Sequence, residues 1–470
     1  MNRTVPKPLL AIASFSIMGL LLLTFELSVR FLGIDAVAWP SLEGKTIGFI
    51  RIDPLLGALP EPDYAGKWFG FDASFDSGGF RNTGFPPSTN PEIEAGDLRK
   101  VAFLGDSCTF GWGLEDSLTF TGQLDQLQRA SGPPRLALRN AGYPGHSAVM
   151  GPYVFRQRVL AWQPDVVVLG YSANNAFRFA TKGHRQRFQN YELRSLLLQS
   201  QTYRALASRV AAANHTPRGD PRSRATIMER PLKNLHRIAS LEEFEDSTRK
   251  TIKAVLSHGA DPVLMVFPRS VEIQEPVVPV EDVAIAIQMS PFGNDPDPTS
   301  TGSRELGLLE ASCLDHLAIQ DPVAALRSQS PSWKPVRPSD PKLLEILRAG
   351  AKAFVAGDTE EALDRFAQGV ALDPASPLAR YDLGVTKLKS GDPDGGLDEL
   401  ARAEKLACNV FLSYQVALHR IAVELEVSII DLVPVFQVDD SEELFLDPAH
   451  PNATGSRLIA EALWARLGKM

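Results

Sequence analysis

The chain has 470 residues, long enough for one to three domains. With 48 Lys/Arg against 56 Asp/Glu, the formal charge is −8, which argues against nucleic acid as the main partner. Apolar residues make up 44% and charged residues 22%, the balance of a folded chain. Cys108, Cys313 and Cys408 are scattered and odd in number, so no disulfide framework is expected. No compact His/Cys/Asp spacing suggests a metal site, and no cofactor is called for.

Arg3 and Lys7 precede an uncharged apolar stretch from Pro8 to Phe25. That is about the minimum for a membrane span, roughly 17–25 residues. A secretory signal peptide is the rival reading, but no small-x-small cleavage site follows. Residues 1–33 are therefore read as an uncleaved transmembrane signal anchor. The basic flank implies a body outside the cytoplasm, periplasmic or extracellular. Residues 34–100 are rich in Pro, Gly and aromatics and read as a wrap or lead-in whose function is not readable.

Val101–Leu104 is a short apolar run, followed by Gly105-Asp106-Ser107 and then by amphipathic LEDSLTFTGQLDQLQR. This pattern reads as strand, turn, helix. It puts Ser107 at the carboxyl end of a strand, where ligands bind in open α/β sheets. A helix N-cap is the bland alternative for Ser107. Asp106 is read as bracing the turn, and Cys108 as a small buried apolar residue. The next strand, LALRN, leads into AGYPGHS with Gly142 in its turn. A third, DVVVLG, leads into YSANNAF with Asn174 and Asn175. The N–H groups of Ser107 and Gly142 and the Asn174 amide are the candidate oxyanion hole. A turn glycine and a helix-capping asparagine are the plain alternatives for Gly142 and Asn174.

Residues 178–237 interrupt this pattern with thirteen Lys/Arg against three Asp/Glu. They read either as a solvated basic helix and loop, or as an apron facing anionic lipid or acidic glycan. LEEFEDSTRKTIKAVLSHGADPVLMVFP then reads as helix, Gly turn and buried strand. A Pro/Asp/Ser-rich linker or insertion covers 271–342, with a helix expected over ELGLLEASCLDHLAIQDPVAALR.

Residues 343–408 repeat internally: Gly350 and Gly384, Gly357 and Gly391, and Asp358 and Asp392 are each 34 apart. Gly350, Ala362, Phe366 and Pro374 in one copy, and Leu383, Gly384, Leu400 and Ala403 in the next, resemble tetratricopeptide repeats. The resemblance implies a surface for a protein partner; a helical insert that merely packs on the core is the alternative. Residues 409–470 then supply a helix, the strand VSIIDLVPVF, the run LFLDPAHPN and a closing helix.

Asp447 and His450 stand in that last run, 343 residues from Ser107 to the histidine. A serine with a histidine base and an aspartate to orient it is the arrangement for acyl transfer. The blocks GDS, NAGYPG, YSANNA and DPAH resemble the SGNH hydrolases, or GDSL esterases/lipases, over roughly 75–178, 237–270 and 409–470. DSGGFRNTGF also resembles the lead-in of bacterial members. This chain has Ser172-Ala173-Asn174-Asn175 where that family usually carries Gly-x-Asn-Asp. The resemblance implies Ser107, Asp447 and His450 as catalytic residues, with Ser107, Gly142 and Asn174 binding the oxyanion.

The expected fold is a flavodoxin-like three-layer α/β/α sandwich, with an all-helical repeat module inserted. Its five parallel strands are expected near 101–105, 135–139, 165–170, 262–267 and 427–432. The hydrolase domain would comprise 101–270 and 409–470. The expected activity is a membrane-anchored esterase acting on short acyl esters, by analogy on cell-envelope carbohydrate. An O-acyltransferase with the same triad, and a non-enzymatic assembly protein acting through the repeats, are the alternatives.

Overall fold

A computed structural model of the chain describes residues 7–34, 49–53, 55–68, 70–84, 98–175, 178–179, 191–213, 236–237, 239–268, 340–406, 410–438, 444–447 and 449–468. In chain order its main elements are α1 (Lys7–Phe31), β1 (Ile50–Asp53), β2 (Gly57–Pro60), β3 (Ala65–Trp68), β4 (Phe71–Ser74), β5 (Arg99–Gly105), α2 (Ser107–Phe110), α3 (Phe120–Ala130), β6 (Leu136–Gly142), α4 (Gly151–Val154), β7 (Val166–Gly170) and β8 (Arg178–Phe179). There follow α5 (Tyr191–Leu197), α6 (Gln201–Ala213), β9 (His236–Arg237), α7 (Leu241–Leu256), β10 (Asp261–Val266), α8 (Pro341–Ala356), α9 (Thr359–Leu372), α10 (Pro377–Lys389), α11 (Pro393–Leu406), α12 (Val410–Leu425), β11 (Ser428–Asp431) and α13 (Ala453–Leu467). The chain divides into two compact units, residues 1–59 with 186–223, and residues 60–185 with 224–470.

The larger unit is built on a five-stranded sheet in the order β11-β10-β7-β5-β6, all parallel. Its inner strands β5, β7 and β10 carry near-continuous apolar runs because a parallel sheet is covered on both faces. Val101, Phe103, Val166, Val168, Val263 and Met265 are buried together with Ile459, Ala460 and Leu463 of α13 and Leu124 of α3. Each of these side chains larger than alanine contributes about 1.5–3 kcal/mol by leaving water. The order reverses at β5: β6 lies on one side and β7 on the other. Such a switch point opens a crevice at the carboxyl ends of the strands. The α/β fold expected from sequence is present, with strands shifted by one to three residues. The amphipathic run after Ser107 forms a helix only from Phe120, capped by Thr119, whose Oγ1 accepts from the Gly122 N–H at 3.1 Å.

α8 to α11 follow one another as four helices, each packed on the next. Gly350 lies against the ring of Phe366, and Gly384 against the Gly396 carbonyl and Leu400. A side chain at either glycine would force these helices apart. The helix expected over 305–327, and most of 271–342, lie outside the described residues.

In the smaller unit α1 packs against α6. The anchor expected over residues 8–25 falls in α1. Among the described residues no helix is long and apolar enough to cross a membrane.

Candidate active site

β5 ends at Gly105, which pairs in register with Gly142 of β6 and Gly170 of β7. Three glycines at one level leave room for α2 to sit directly on the strand ends. A Cβ on Gly142 would strike the backbone of Phe110, and one on Gly105 would strike Thr109 and the Gly170 carbonyl. Side chains then fasten the helix in place. Thr109 Oγ1 donates to the Gly170 carbonyl at 2.7 Å, and Asn140 Nδ2 donates to the Thr109 carbonyl at 2.9 Å. Ser107 opens α2 and is 8% exposed.

Asp106 caps that helix. One carboxylate oxygen accepts from the Cys108 N–H at 3.0 Å, and the other from the Ser172 N–H at 2.8 Å. The backbone of Asn174 also donates to it. Asp106 therefore ties the Ser107 turn to the Ser172–Asn175 turn, the bracing role expected of it. Complete burial pushes its carboxyl up, partly offset by these donors and by His450. Cys108 is buried as expected, with Sγ donating to the Ala449 carbonyl at 3.3 Å and accepting from Ser172 Oγ at 3.1 Å. It thus joins the serine turn to the loop carrying the histidine.

That loop is closed by main-chain bonds. The Leu446 N–H donates to the His450 carbonyl at 2.8 Å, and the Asn452 N–H to the Leu444 carbonyl at 3.0 Å. Asn452 caps α13 through the Gly455 N–H at 3.0 Å. Within the loop, Asp447 Oδ1 accepts from the N–H groups of Ala449 and His450, both at 2.9 Å. Its Oδ2 is left to face His450 Nδ1, 2.6 Å away. His450 Nε2 lies 2.8 Å from Ser107 Oγ. The indole of Trp112 stands beside the imidazole, ring centroids 6.2 Å apart. Burial pushes the Asp447 carboxyl up, but the facing imidazole and the two loop N–H groups outweigh it, and its pKa falls below the usual value. The carboxylate is thus charged whenever the imidazole must be held. Serine, histidine and aspartate are brought together from distant parts of the chain, Ser107 from the start of α2 and the other two from the loop before α13.

The oxyanion candidates are placed less uniformly. Ser107 N–H, at the first turn of α2, makes no hydrogen bond among the described residues. Asn174 is half-buried, and one N–H of its amide goes to the His146 carbonyl at 3.0 Å, leaving a second. Asn175 is fully buried, accepting from the Ala148 N–H at 2.8 Å and donating to the Ser172 carbonyl at 2.9 Å, so it holds the turn. Gly142 differs from expectation: its N–H donates to Asn140 Oδ1 at 2.9 Å. An N–H already spent inside the strand end is not offered to a ligand, and Gly142 acts here by its lack of a side chain. The turn it leads into continues to Gly145, in the left-handed region at φ +80°, whose N–H makes no hydrogen bond among the described residues. Both glycines stand in AGYPGHS, and no spacing rule reveals that Asn140 takes the first N–H.

Sequence reasoning also passed over Arg81. Its guanidinium is fully buried. Nε donates to Asp116 Oδ1 at 3.0 Å, Nη1 to the carbonyls of Phe110 and Gly111 at 2.9 and 2.7 Å, and Nη2 to the Leu114 carbonyl. Arg81 thus holds the chain as it leaves α2. Burial lowers its pKa to about 10, with Asp116 opposing the fall, so it stays charged near neutrality.

Among the described residues no group of three or more His, Cys, Asp or Glu is arranged to hold a metal ion. No family model matches the chain, and no curated protein sequence matches it. Solved structures similar to it include a putative lipolytic protein of the G-D-S-L family from Desulfitobacterium hafniense DCB-2, 16% identical, with 37% of this chain and 62% of that chain covered at a TM-score of 0.20. They also include the acetyl xylan esterase AlAXEase, 12% identical, with 78% and 98% covered at a TM-score of 0.33. The acetylxylan esterase Axe2 from Geobacillus stearothermophilus is 13% identical, with 79% and 94% covered at a TM-score of 0.33. This chain spans less than two thirds of the length of the first of these. At such TM-scores the likenesses carry no argument, and the chemistry rests on the geometry of Ser107, His450 and Asp447.

Proposed function

We propose that the chain is a serine esterase of the SGNH type. The observation that carries this reading is the continuous relay from Ser107 Oγ to His450 Nε2 at 2.8 Å and from His450 Nδ1 to Asp447 Oδ2 at 2.6 Å. Ser107 Oγ attacks the ester carbonyl carbon while His450 takes its proton. Asp447 fixes the imidazole orientation and stabilises the imidazolium. The negative oxygen of the tetrahedral intermediate faces the Ser107 N–H and the second Asn174 amide hydrogen, with the Gly145 N–H replacing that of Gly142. His450 returns the proton to the leaving alkoxide, and an acyl-serine remains. Water, deprotonated by His450, then releases the carboxylic acid.

Short acyl esters on cell-envelope carbohydrate are the proposed substrates, with a sugar hydroxyl in place of water in the transferase variant. In this reading the apolar N-terminal helix anchors the chain, and the active site works outside the cytoplasm. The helices α8–α11 are a tetratricopeptide-like surface for a protein partner. The test is p-nitrophenyl acetate turnover by the full chain in detergent beside Ser107→Ala. Turnover that vanishes in the folded variant supports the reading. Equal background rates from both proteins, with Ser107 also unreactive toward a fluorophosphonate, would refute it.

A further inference from the structure

Glu26 is the sole acidic residue of α1, whose other charged residues are Lys7 and Arg30. Its carboxylate accepts four hydrogen bonds, three from the insertion and one from Arg30 of α1 itself. Oε2 accepts from Ser200 Oγ at 2.7 Å and the Thr202 N–H at 3.0 Å; Oε1 accepts from the Gln201 N–H at 2.8 Å and Arg30 Nε at 2.8 Å. Gln201 and Thr202 open α6, so the carboxylate of one helix caps the positive end of another. Four charge-assisted bonds on one carboxylate make a specific joint. They also give this acid its partners at the end of an apolar helix, where an unpaired charge is costly.

Around this joint the surface is apolar. On α1, Leu20, Leu21, Leu22, Leu23 and Phe25 are each more than half exposed. On α5 and α6 the same holds for Leu193, Leu196, Leu206 and Val210. Leu206 and Val210 are four apart and share one face of α6. Large apolar side chains left this exposed on neighbouring helices mark an interaction surface. The composition of the insertion says which one: as a sequence, residues 178–237 hold thirteen Lys/Arg against three Asp/Glu in a chain of net charge −8. Arg204 and Arg209 of α6 are exposed beside the apolar residues. Apolar side chains among arginines fit the headgroup region of an anionic bilayer.

We infer that α5 and α6 lie on an anionic phospholipid bilayer beside α1, held there by Glu26. This rests on the reading of α1 as the membrane anchor, and gives the insertion a role as a second, interfacial attachment.

The test uses the full chain with Cys108, Cys313 and Cys408 replaced by Ala. An environment-sensitive fluorophore is attached at Leu22→Cys, Leu206→Cys or, as a solvent control, Val355→Cys. Each protein is reconstituted with phosphatidylglycerol/phosphatidylcholine vesicles or with phosphatidylcholine alone. The expected result is a several-fold brighter, blue-shifted signal at 22 and 206 with phosphatidylglycerol, a signal at 206 at least twofold weaker on phosphatidylcholine alone, and no change at 355. Glu26→Gln should halve the response at 206 and leave that at 22 unchanged. A response at 22 with none at 206 overturns the inference and leaves the anchor standing. No response at either removes both. A signal at 206 that rises with protein concentration in detergent alone would assign the surface to a second copy and overturn the lipid assignment. An equal response at 206 in Glu26→Gln would overturn the role of the joint.

Discussion

Among its described residues the larger unit contains two His–Asp pairs of nearly equal geometry. His450 and Asp447 approach to 2.6 Å, His419 and Asp431 to 2.7 Å. At the first, the far imidazole nitrogen meets a serine hydroxyl on a helix that starts at a strand end. At the second, the same nitrogen that meets Asp431 also lies 3.2 Å from the Tyr381 hydroxyl, which itself donates to Asp431 at 2.6 Å. The triad side chains keep 11% and 13% exposure, while those of His419 and Asp431 fall to 1% and 3%. A His–Asp pair is therefore not a catalytic signature in itself. What distinguishes the first is a nucleophile on the second nitrogen and side chains that are less completely buried. The second joins α10, α12 and β11, and works as a fastening between helical module and sheet.

Substitutions can separate these two roles. Asp447→Asn should lower kcat on the order of 10⁴-fold, because the amide no longer fixes the imidazole tautomer, while the folded protein loses only the modest stability that the charged carboxylate contributes. A large loss of stability beside that of activity would instead mean that the loop is structural. The pH profile of stability sharpens this. The Asp447 pKa is depressed in the folded chain, so its contribution is fully present above the ordinary carboxylate value and is lost as pH falls through the depressed one. The stability difference between wild type and Asp447→Asn should be flat near neutrality and shrink only in acid.

Arg81→Met leaves Asp116 and three carbonyls without their buried cation, at a cost of about 3–5 kcal/mol. Activity should fall with it, since the chain leaving α2 is released; denaturant unfolding beside ester hydrolysis checks both. His419→Ala should do the reverse of Asp447→Asn. It should cost about 3 kcal/mol through a cavity and an unmatched Asp431, and leave kcat within about twofold. A large loss of kcat in a folded His419→Ala protein would show that the fastening reaches the active site.

The smallest effect is expected at Asp382, on α10. It is fully buried, receives both bonds of its carboxylate from Gln437 Nε2 at 3.0 Å, and has its pKa raised well above normal by burial, with Asp431 adding to the rise. A raised folded value means that folding binds a proton, so stability falls as pH climbs from the ordinary carboxylate value to the raised one. Asp382→Asn should flatten that fall, measured by urea midpoints across mildly acidic pH.

Much of the fold was legible because its signals are local. Apolar runs ending in Gly105, Gly142 and Gly170 mark strands that stop where a helix must approach. The Asp-x-x-His spacing of Asp447 and His450 reflects a loop in which the aspartate also accepts main-chain N–H groups, and local bonds leave local patterns. The parts that were missed depend on distant partners. Arg81 and Asp116 are 35 residues apart, and Tyr381 and Asp431 are 50 apart, with no periodicity relating them. That the Gly142 N–H is already taken depends on one side chain, Asn140, two residues upstream, whose rotamer no composition rule supplies. The amphipathic pattern after Ser107 extended too early because Asp116 is drawn instead to Arg81 and to Ser74, whose Oγ donates to it at 2.5 Å.

The most direct test of the triad is covalent labelling of Ser107 by a fluorophosphonate, read by peptide mass spectrometry on the full chain. An activated serine displaces fluoride from phosphorus, so the peptide carrying Ser107 should gain the phosphonyl group. The label should be absent in Ser107→Ala, and formed at least a hundredfold more slowly in His450→Ala. A folded wild-type chain that leaves Ser107 unlabelled, or labels it as fast without His450, would contradict the account.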